Sequence, residues 1–494
     1  ICNMLYSHIQ YSTISNNCIG IFTNTVRIND MKITKIDFVI QHINQQINNR
    51  SLMPGSRLPS VRALARQLNL SISTIVEGYE RLVAKGIIEA KTGSGFFVAG
   101  PLVPLSISEI HPKIDRNIDP LWISRQALEA KSDVLKPGCG WLPNEWMPHE
   151  HIRKAIRKVS KTNPNILTDY STPLGLPALR ELLARRMQSK GIEGIANQIL
   201  LTDSGTQAID LICRYFLKPN DVVLVDDPCY FNFHALLKVH QVQIIGIPYT
   251  KNGPDLAAFA TAIQDFNPRL YITNSGIHNP TGAVLNAATA YQVLKLIERS
   301  NLIVIEDDIF ADLELHTAPR LAALDGLSRV IHIGSFSKTL SGSVRTGYIA
   351  TKPEWIEDLT DIKIATSFGG NQLSAEILYA ALTDGNYRKY LEELKINLAK
   401  AMDLTIKQLE KLNITPWFKP QAGLFLWCEL PRHLDIASIA QTCLENGVIL
   451  APGNAFSQSQ NFKNFIRFNV AQCSNSKVFA VLSHAIQQEQ ERQH

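Results

Sequence analysis

Apolar residues at Ile36, Val39, Ile40, Ile43 and Ile47 fall on one face of a helix. Pro54-Gly55 then breaks the chain. Ser60 is a good N-cap for a second helix that turns Val61, Leu64, Ala65 and Leu68 inward and Arg62 and Arg66 outward. Asn69 suits a tight turn. Ser71 can cap a third helix carrying Ile75, Tyr79, Leu82 and Val83, which Gly86 closes. Ile87-Ile88-Glu89-Ala90 and Phe96-Phe97-Val98 flank Thr92-Gly93-Ser94-Gly95, the pattern of a β-hairpin. Three helices and a hairpin predict a winged helix-turn-helix over residues 31–100.

Residues 101–130 lose this periodicity and carry Pro101, Pro104, Pro112 and Pro120, which fits a semi-extended linker. From Lys131 to the end, residues 131–494, apolar strands alternate with helical stretches, so an α/β domain is expected. Five apolar runs read as buried strands: 199–202, 222–225, 270–273, 302–305 and 330–333. Residues 1–30 open on Ile, are rich in Asn, Ser, Thr and Ile, and show no clear periodicity. That leader is expected to be disordered or foreign to the natural product.

Composition adds little until it is divided. The 494 residues suggest two or three domains, and 45% apolar with 19% charged residues is ordinary for a globular protein. No apolar run approaches the roughly 20 residues that cross a bilayer, and the start lacks a signal-peptide pattern. Eight scattered cysteines form neither metal-ligand pairs nor a disulfide framework, which points to a reducing cytoplasm. Residues 31–100 hold nine Lys or Arg against four Asp or Glu, and the remaining segments balance to zero. The whole +5 excess therefore sits in the small N-terminal segment, the footprint of a nucleic-acid-binding module. Its third helix would enter a major groove by its N-terminal end, presenting Ser71, Ser73 and Thr74, while Arg57, Arg62 and Lys91 neutralise phosphates.

The chemistry of the larger domain gathers at strand ends. The last strand runs into Gly334-Ser335-Phe336-Ser337-Lys338-Thr339, with Arg345 beyond. A lysine there can form a Schiff base with an aldehyde cofactor while Ser335, Ser337 and Arg345 hold its phosphate. Ser204-Gly205-Thr206-Gln207 opens a helix whose backbone N–H groups make a phosphate cup. Tyr230 follows another strand and can stack on a ring, Asn279 can donate to a phenolic oxygen, and Glu306-Asp307-Asp308 offers acids. Ligands of open parallel sheets bind beyond the carboxyl ends of strands. The cofactor that suits this set is pyridoxal 5′-phosphate, whose pyridinium nitrogen needs a carboxylate partner.

Two resemblances follow. Pro54-Gly55-Ser56-Arg57-Leu58-Pro59-Ser60-Val61-Arg62, Leu64-Ala65 and Gly86 through Val98 resemble the GntR family of bacterial regulators. Where that family usually has an arginine after the serine opening the recognition helix, this chain has Ile72. Residues 131–494 resemble a class I, fold-type-I aminotransferase. That resemblance implies Lys338 as the aldimine lysine, Asp307 as pyridinium partner, Asn279 at the phenolic oxygen and Tyr230 on the ring. It implies phosphate contacts from Gly205, Thr206, Gln207, Ser335, Ser337 and Arg345. Tyr170 matches a tyrosine that reaches a neighbouring subunit's phosphate, and Arg467 an arginine that clamps a substrate carboxylate. The tyrosine usual two or three residues after Asp307 is replaced by Ile309 and Phe310, which counts against efficient transamination.

Together the two halves resemble the MocR subfamily of GntR-type regulators. The resemblance implies a transcriptional regulator that binds operator DNA and senses an amino compound, or pyridoxal phosphate itself, through an aldimine on Lys338. It also implies a head-to-tail homodimer. Two alternatives stand beside it: a working aminotransferase with an accessory DNA-binding module, and a cofactor-free scaffold that kept the fold. No metal site is expected.

Overall fold

The computed structural model describes residues 34–48, 52, 55–91, 93–99, 120–131 and 133–493. The leader at 1–30, Pro54, Thr92 and residues 101–119 of the expected linker lie outside them. The chain divides between Asp115 and Arg116 into two compact units.

In the first unit the helices are α1 (Lys35–Asn48), α2 (Val61–Leu68) and α3 (Ile72–Ala84), followed by a hairpin of β1 (Ile88–Lys91) and β2 (Gly95–Val98). The expected caps form. Ser60 Oγ accepts from the N–H of Ala63 at 3.2 Å, Asn69 turns left-handed at φ 54°, and Ser71 Oγ accepts from the N–H of Thr74 at 3.2 Å. Val39, Ile43, Leu64, Ile75, Tyr79, Leu82 and Ile88 make one buried core. Each fully buried aliphatic side chain there contributes about 1.5–3 kcal/mol. Gly78 lets α1 and α3 close on each other, since a Cβ there would lie 2.8 Å from Val39 Cγ1. Tyr79 donates its hydroxyl to Pro59 O at 2.9 Å and so ties α3 to the lead-in of α2.

The second unit begins with α4 (Pro120–Glu129). This corrects the semi-extended reading of that stretch. Ile123 and Ala127, four residues apart, are both 1% exposed, and Ile123 packs into an aromatic cluster with Phe231, Trp427 and Phe456. Burial of one helical face outweighs the proline-rich local composition.

The strands of the main sheet are β3 (Ile199–Thr202), β4 (Val222–Asp227), β5 (Gln243–Thr250), β6 (Gly253–Pro254), β7 (Leu270–Thr273), β8 (Ile303–Asp307), β9 (Val330–Ser335) and β10 (Gly347–Ala350). Their order is β3-β10-β9-β8-β7-β4-β5-β6. Strands β5, β4, β7, β8 and β9 are parallel, whereas β10 runs antiparallel between β3 and β9. All five runs read from the sequence are strands, and helices cover both faces, so their interiors are continuously apolar. A second sheet, of β11 (Thr415–Pro416), β12 (Phe425–Glu429), β13 (Ala451–Pro452) and β14 (Phe465–Asn469), is antiparallel in the order β11-β12-β14-β13. Among the described residues no helix is long and apolar enough to cross a membrane, and no cluster of His, Cys, Asp or Glu is fit to hold a metal.

Candidate functional site

Strand β9 is buried along its whole length between β8 and β10, so its carboxyl end opens at the centre of the sheet edge where ligands bind. There Lys338 Nζ donates to Gly140 O at 2.7 Å. Burial, and then the charge of Arg467, lowers the lysine from its ordinary value to about 8. A larger share of neutral amine is therefore present near neutrality, which suits a nucleophile.

Lys338 lines a cavity of about 180 Å³ shared with Gly205, Thr206, Tyr230, Asn279, Asp307, Ser335, Ser337 and Arg345. Sequence reasoning placed these residues at separate strand ends, and the sheet brings them together. The helix Gly205–Phe216 starts at the cavity. Ser204 Oγ caps it by accepting from the N–H of Gln207 at 3.0 Å. Ser335 Oγ lies 3.0 Å from Ser337 Oγ and donates to Thr346 O at 3.1 Å. Among the described residues no carboxylate pairs with Arg345, whose φ is 25°. Gln207 departs from expectation. Its Oε1 accepts from the N–H of Asp203 at 2.6 Å, so the side chain turns back to close its own helix start and does not line the cavity.

Asp307 ends β8. Burial lifts its carboxyl from the ordinary 3.8 to about 6, although the N–H of Ile309 donates to Oδ1 at 3.2 Å. Asn274, which sequence reasoning missed, lines the cavity and donates Nδ2 to Asp307 O at 3.0 Å. No local pattern marked it, because only the pairing of β7 with β8 sets it beside Asp307.

Arg467 sits on β14 and is 1% exposed. Its Nη1 donates to Asn279 Oδ1 at 2.8 Å and its Nη2 to Gly138 O at 2.7 Å, while Nε has no partner. Burial lowers the guanidinium to about 10, and the rings of Phe425 and Phe456 face it at 4.4 and 4.7 Å. Because Asn279 Oδ1 accepts from Arg467, its Nδ2 is the group left to donate elsewhere. Ile309 and Phe310 line the cavity without a hydroxyl, and Phe310 packs edge-on against Phe425 at 5.4 Å. Tyr170 lies outside this cavity. It is 82% exposed, with its ring against Phe368 at 5.0 Å.

On the first unit Arg57, Arg62, Ser71, Ser73 and Lys91 are exposed and Thr74 is half-buried. Ser71 Oγ contacts Ser73 Oγ at 3.0 Å and Thr74 Oγ1 at 2.7 Å, so part of this hydroxyl set is engaged in starting α3. Lys91 pairs with Glu89 at 3.0 Å and lies 4.9 Å from the ring centre of Phe97. Exposed pairs of that kind contribute little and yield readily to a phosphate.

These elements define a winged helix-turn-helix joined to a fold-type-I aminotransferase domain. The chain belongs to the class I and II aminotransferase family, whose model matches residues 142–484, and residues 35–98 match the gntR family of bacterial regulatory proteins. It is 27% identical over 455 residues to the uncharacterized HTH-type transcriptional regulator YdfD of Bacillus subtilis, covering 90% of this chain and 94% of YdfD. It is 28% identical to the HTH-type transcriptional regulator NorG of Staphylococcus aureus, over 85% and 97% of the two chains. The fold is similar to α-aminoadipate aminotransferase LysN of Thermus thermophilus (23% identity, TM-score 0.69, 75% of this chain and 95% of LysN). It is also similar to kynurenine aminotransferase of Pyrococcus horikoshii (24%, 0.70, 79% and 99%). That LysN structure holds N-(5′-phosphopyridoxyl)-L-leucine, and the Pyrococcus structure is a complex with PMP. The architecture is that of a transcriptional regulator with an aminotransferase-like domain, consistent with the MocR subfamily.

Proposed function

We propose that this chain regulates transcription from operator DNA and holds pyridoxal phosphate at Lys338, where an amino compound or the cofactor itself acts as effector. The observation that carries the reading is the convergence of Lys338, Asp307, Asn279 and Arg345 on one cavity. The residues fit the group. A buried acid with raised proton affinity favours a cationic ring nitrogen beside it. An N–H-rich helix start and an arginine without a carboxylate partner suit a phosphate dianion. Asn279 has Nδ2 left to donate to a phenolic oxygen. When bound, the group supplies an aldehyde that condenses with amines and a ring that withdraws electrons.

Lys338 is the amine that would hold the aldehyde, and an effector amine would displace it. Arg467 would take the effector's carboxylate with Nε and give up its contact to Gly138 O. Both rearrangements change local contacts and can favour one domain arrangement over another, which is the requirement for coupling to DNA affinity. The proposed assembly is a head-to-tail homodimer in the cytoplasm, with Tyr170 reaching the partner's phosphate. Arg57, Arg62, Ser71, Ser73, Thr74 and Lys91 are the proposed DNA contacts.

A second reading, a working aminotransferase with an accessory DNA module, is supported by the same convergence of Lys338, Asp307, Asn279 and Arg345. Ile309 and Phe310 oppose it, since neither donates a hydrogen bond to the cofactor. Operator binding should be measured with and without pyridoxal phosphate across a panel of amino carboxylates. A shift in DNA affinity with one amine, and no steady turnover with keto acids, is expected. Sustained turnover with unchanged DNA affinity would favour the second reading.

A further inference from the structure

Glu306-Asp307-Asp308 sets three acids in a row at the end of β8. Strand alternation sends Glu306 and Asp308 to one face of the sheet and Asp307 to the other, toward the cavity. The two flanking acids are both held by one short segment, Arg320-Leu321-Ala322. Glu306 accepts from the N–H of Leu321 at 2.7 Å and of Ala322 at 2.9 Å, and from the Ser275 hydroxyl at 2.5 Å. Asp308 Oδ1 accepts from Arg320 Nε at 3.1 Å and Nη2 at 2.9 Å. Arg320 Nη2 also reaches Glu314 Oε2 at 2.8 Å, and Nη1 donates to Ala318 O at 2.6 Å.

This clamp is enclosed. Arg320 is 1% exposed, Asp308 6% and Glu314 7%. Lys190 Nζ at 3.6 Å and His332 Nε2 at 3.9 Å face the other oxygen of Asp308. Gly276, in the loop between Asn274 and Asn279, leaves the room it needs: a Cβ there would lie 2.5 Å from Glu314 Oε1 and 3.1 Å from Arg320 Nη2. The N–H of Asp308 donates to Ile333 O at 3.0 Å, on the strand that leads to Lys338. The clamp thus touches the segments carrying Asp307, Asn279 and Lys338. Burial alone would raise the Asp308 carboxyl, and the charges of Arg320, Lys190 and His332 together with the Arg320 hydrogen bonds bring it below its ordinary value.

We infer that Arg320 is a positioning residue for the cofactor site: by anchoring Asp308 and Glu314 on the far side of the segment it leaves Asp307 as the acid presented to the ring nitrogen, and it fixes the wall of Ile309 and Phe310. The inference rests on the pyridoxal phosphate reading above. Removing Arg320 strands a buried carboxylate next to Asp307, a costly arrangement that the segment must move to relieve.

The test reconstitutes full-length protein with pyridoxal phosphate and follows its visible absorbance and equilibrium affinity. Arg320→Met should weaken cofactor affinity by at least about tenfold, and adding Asp308→Asn should restore it to within about threefold, since the stranded charge is then gone. A role in packing alone would leave the double variant no better than the single one. Arg320→Lys stands in if Arg320→Met does not fold, because lysine keeps the charge and loses the fork that spans two carboxylates. A weakened, shifted band in it supports the inference. Wild-type affinity and absorbance in the tested variant, or a double variant without recovery, overturns it. If the wild-type protein takes up no cofactor, the proposed function fails instead.

Discussion

Asp307 illustrates what a site residue costs the fold that holds it. With its carboxyl raised to about 6, the native state binds that proton more tightly than the unfolded chain does. The stability from that proton is present below about pH 4 and is lost as pH rises through 6. At pH 8, Asp307→Asn should therefore stabilise the cofactor-free protein by up to about 3 kcal/mol while weakening cofactor uptake. Urea unfolding at pH 5 and pH 8 checks the sign: the gain should be larger at the higher pH, and a variant destabilised there would contradict it. Lys338, Asp307 and Asn279 were legible because each ends an apolar run and carries its chemistry in a few adjacent residues. Asn274, Gly140 and Arg320 were not, because their roles depend on which strands and loops become neighbours. The Gln207 side chain stays out of the cavity for a local reason, since a side chain at a helix start can serve its own backbone.

At the scale of elements, the N-terminal helices followed from their periodicity and from caps at Ser60, Asn69 and Ser71. Strands β3, β4, β7, β8 and β9 followed from buried apolar runs. Strand β5, with alternating exposure and a proline, and the four-residue β10 gave no comparable signal. Helix α4 was missed because Ile123 finds its partners in an aromatic cluster distant in sequence. Ser71 is part of the foundation of α3, so Ser71→Ala should cost about 1 kcal/mol in thermal unfolding even without DNA. Ile72 is 54% exposed where the related family usually carries arginine. Ile72→Arg should tighten operator binding and steepen its log–log salt dependence by about 0.9, the effect of one added phosphate contact. An unchanged slope in a salt titration would show that this end of α3 does not face the DNA backbone.

For the whole molecule, the positive excess confined to residues 31–100 and the neutral body match the proposed division between binding DNA and sensing a small molecule. Leu167, Tyr170 and Phe368 are exposed apolar groups, at 56, 82 and 66%, and the proposed dimer would cover them. Phe368 has φ 55°, so Phe368→Asn keeps the backbone and removes the ring. Sedimentation should show a dimer in the wild type that the variant weakens, together with poorer cofactor retention. The most direct test of the central claim is borohydride reduction of protein incubated with pyridoxal phosphate, followed by peptide mass spectrometry. One phosphopyridoxyl adduct, on the peptide carrying Lys338 and absent from Lys338→Ala, is the predicted result. No adduct, or adducts spread over surface lysines with none at Lys338, would contradict the account.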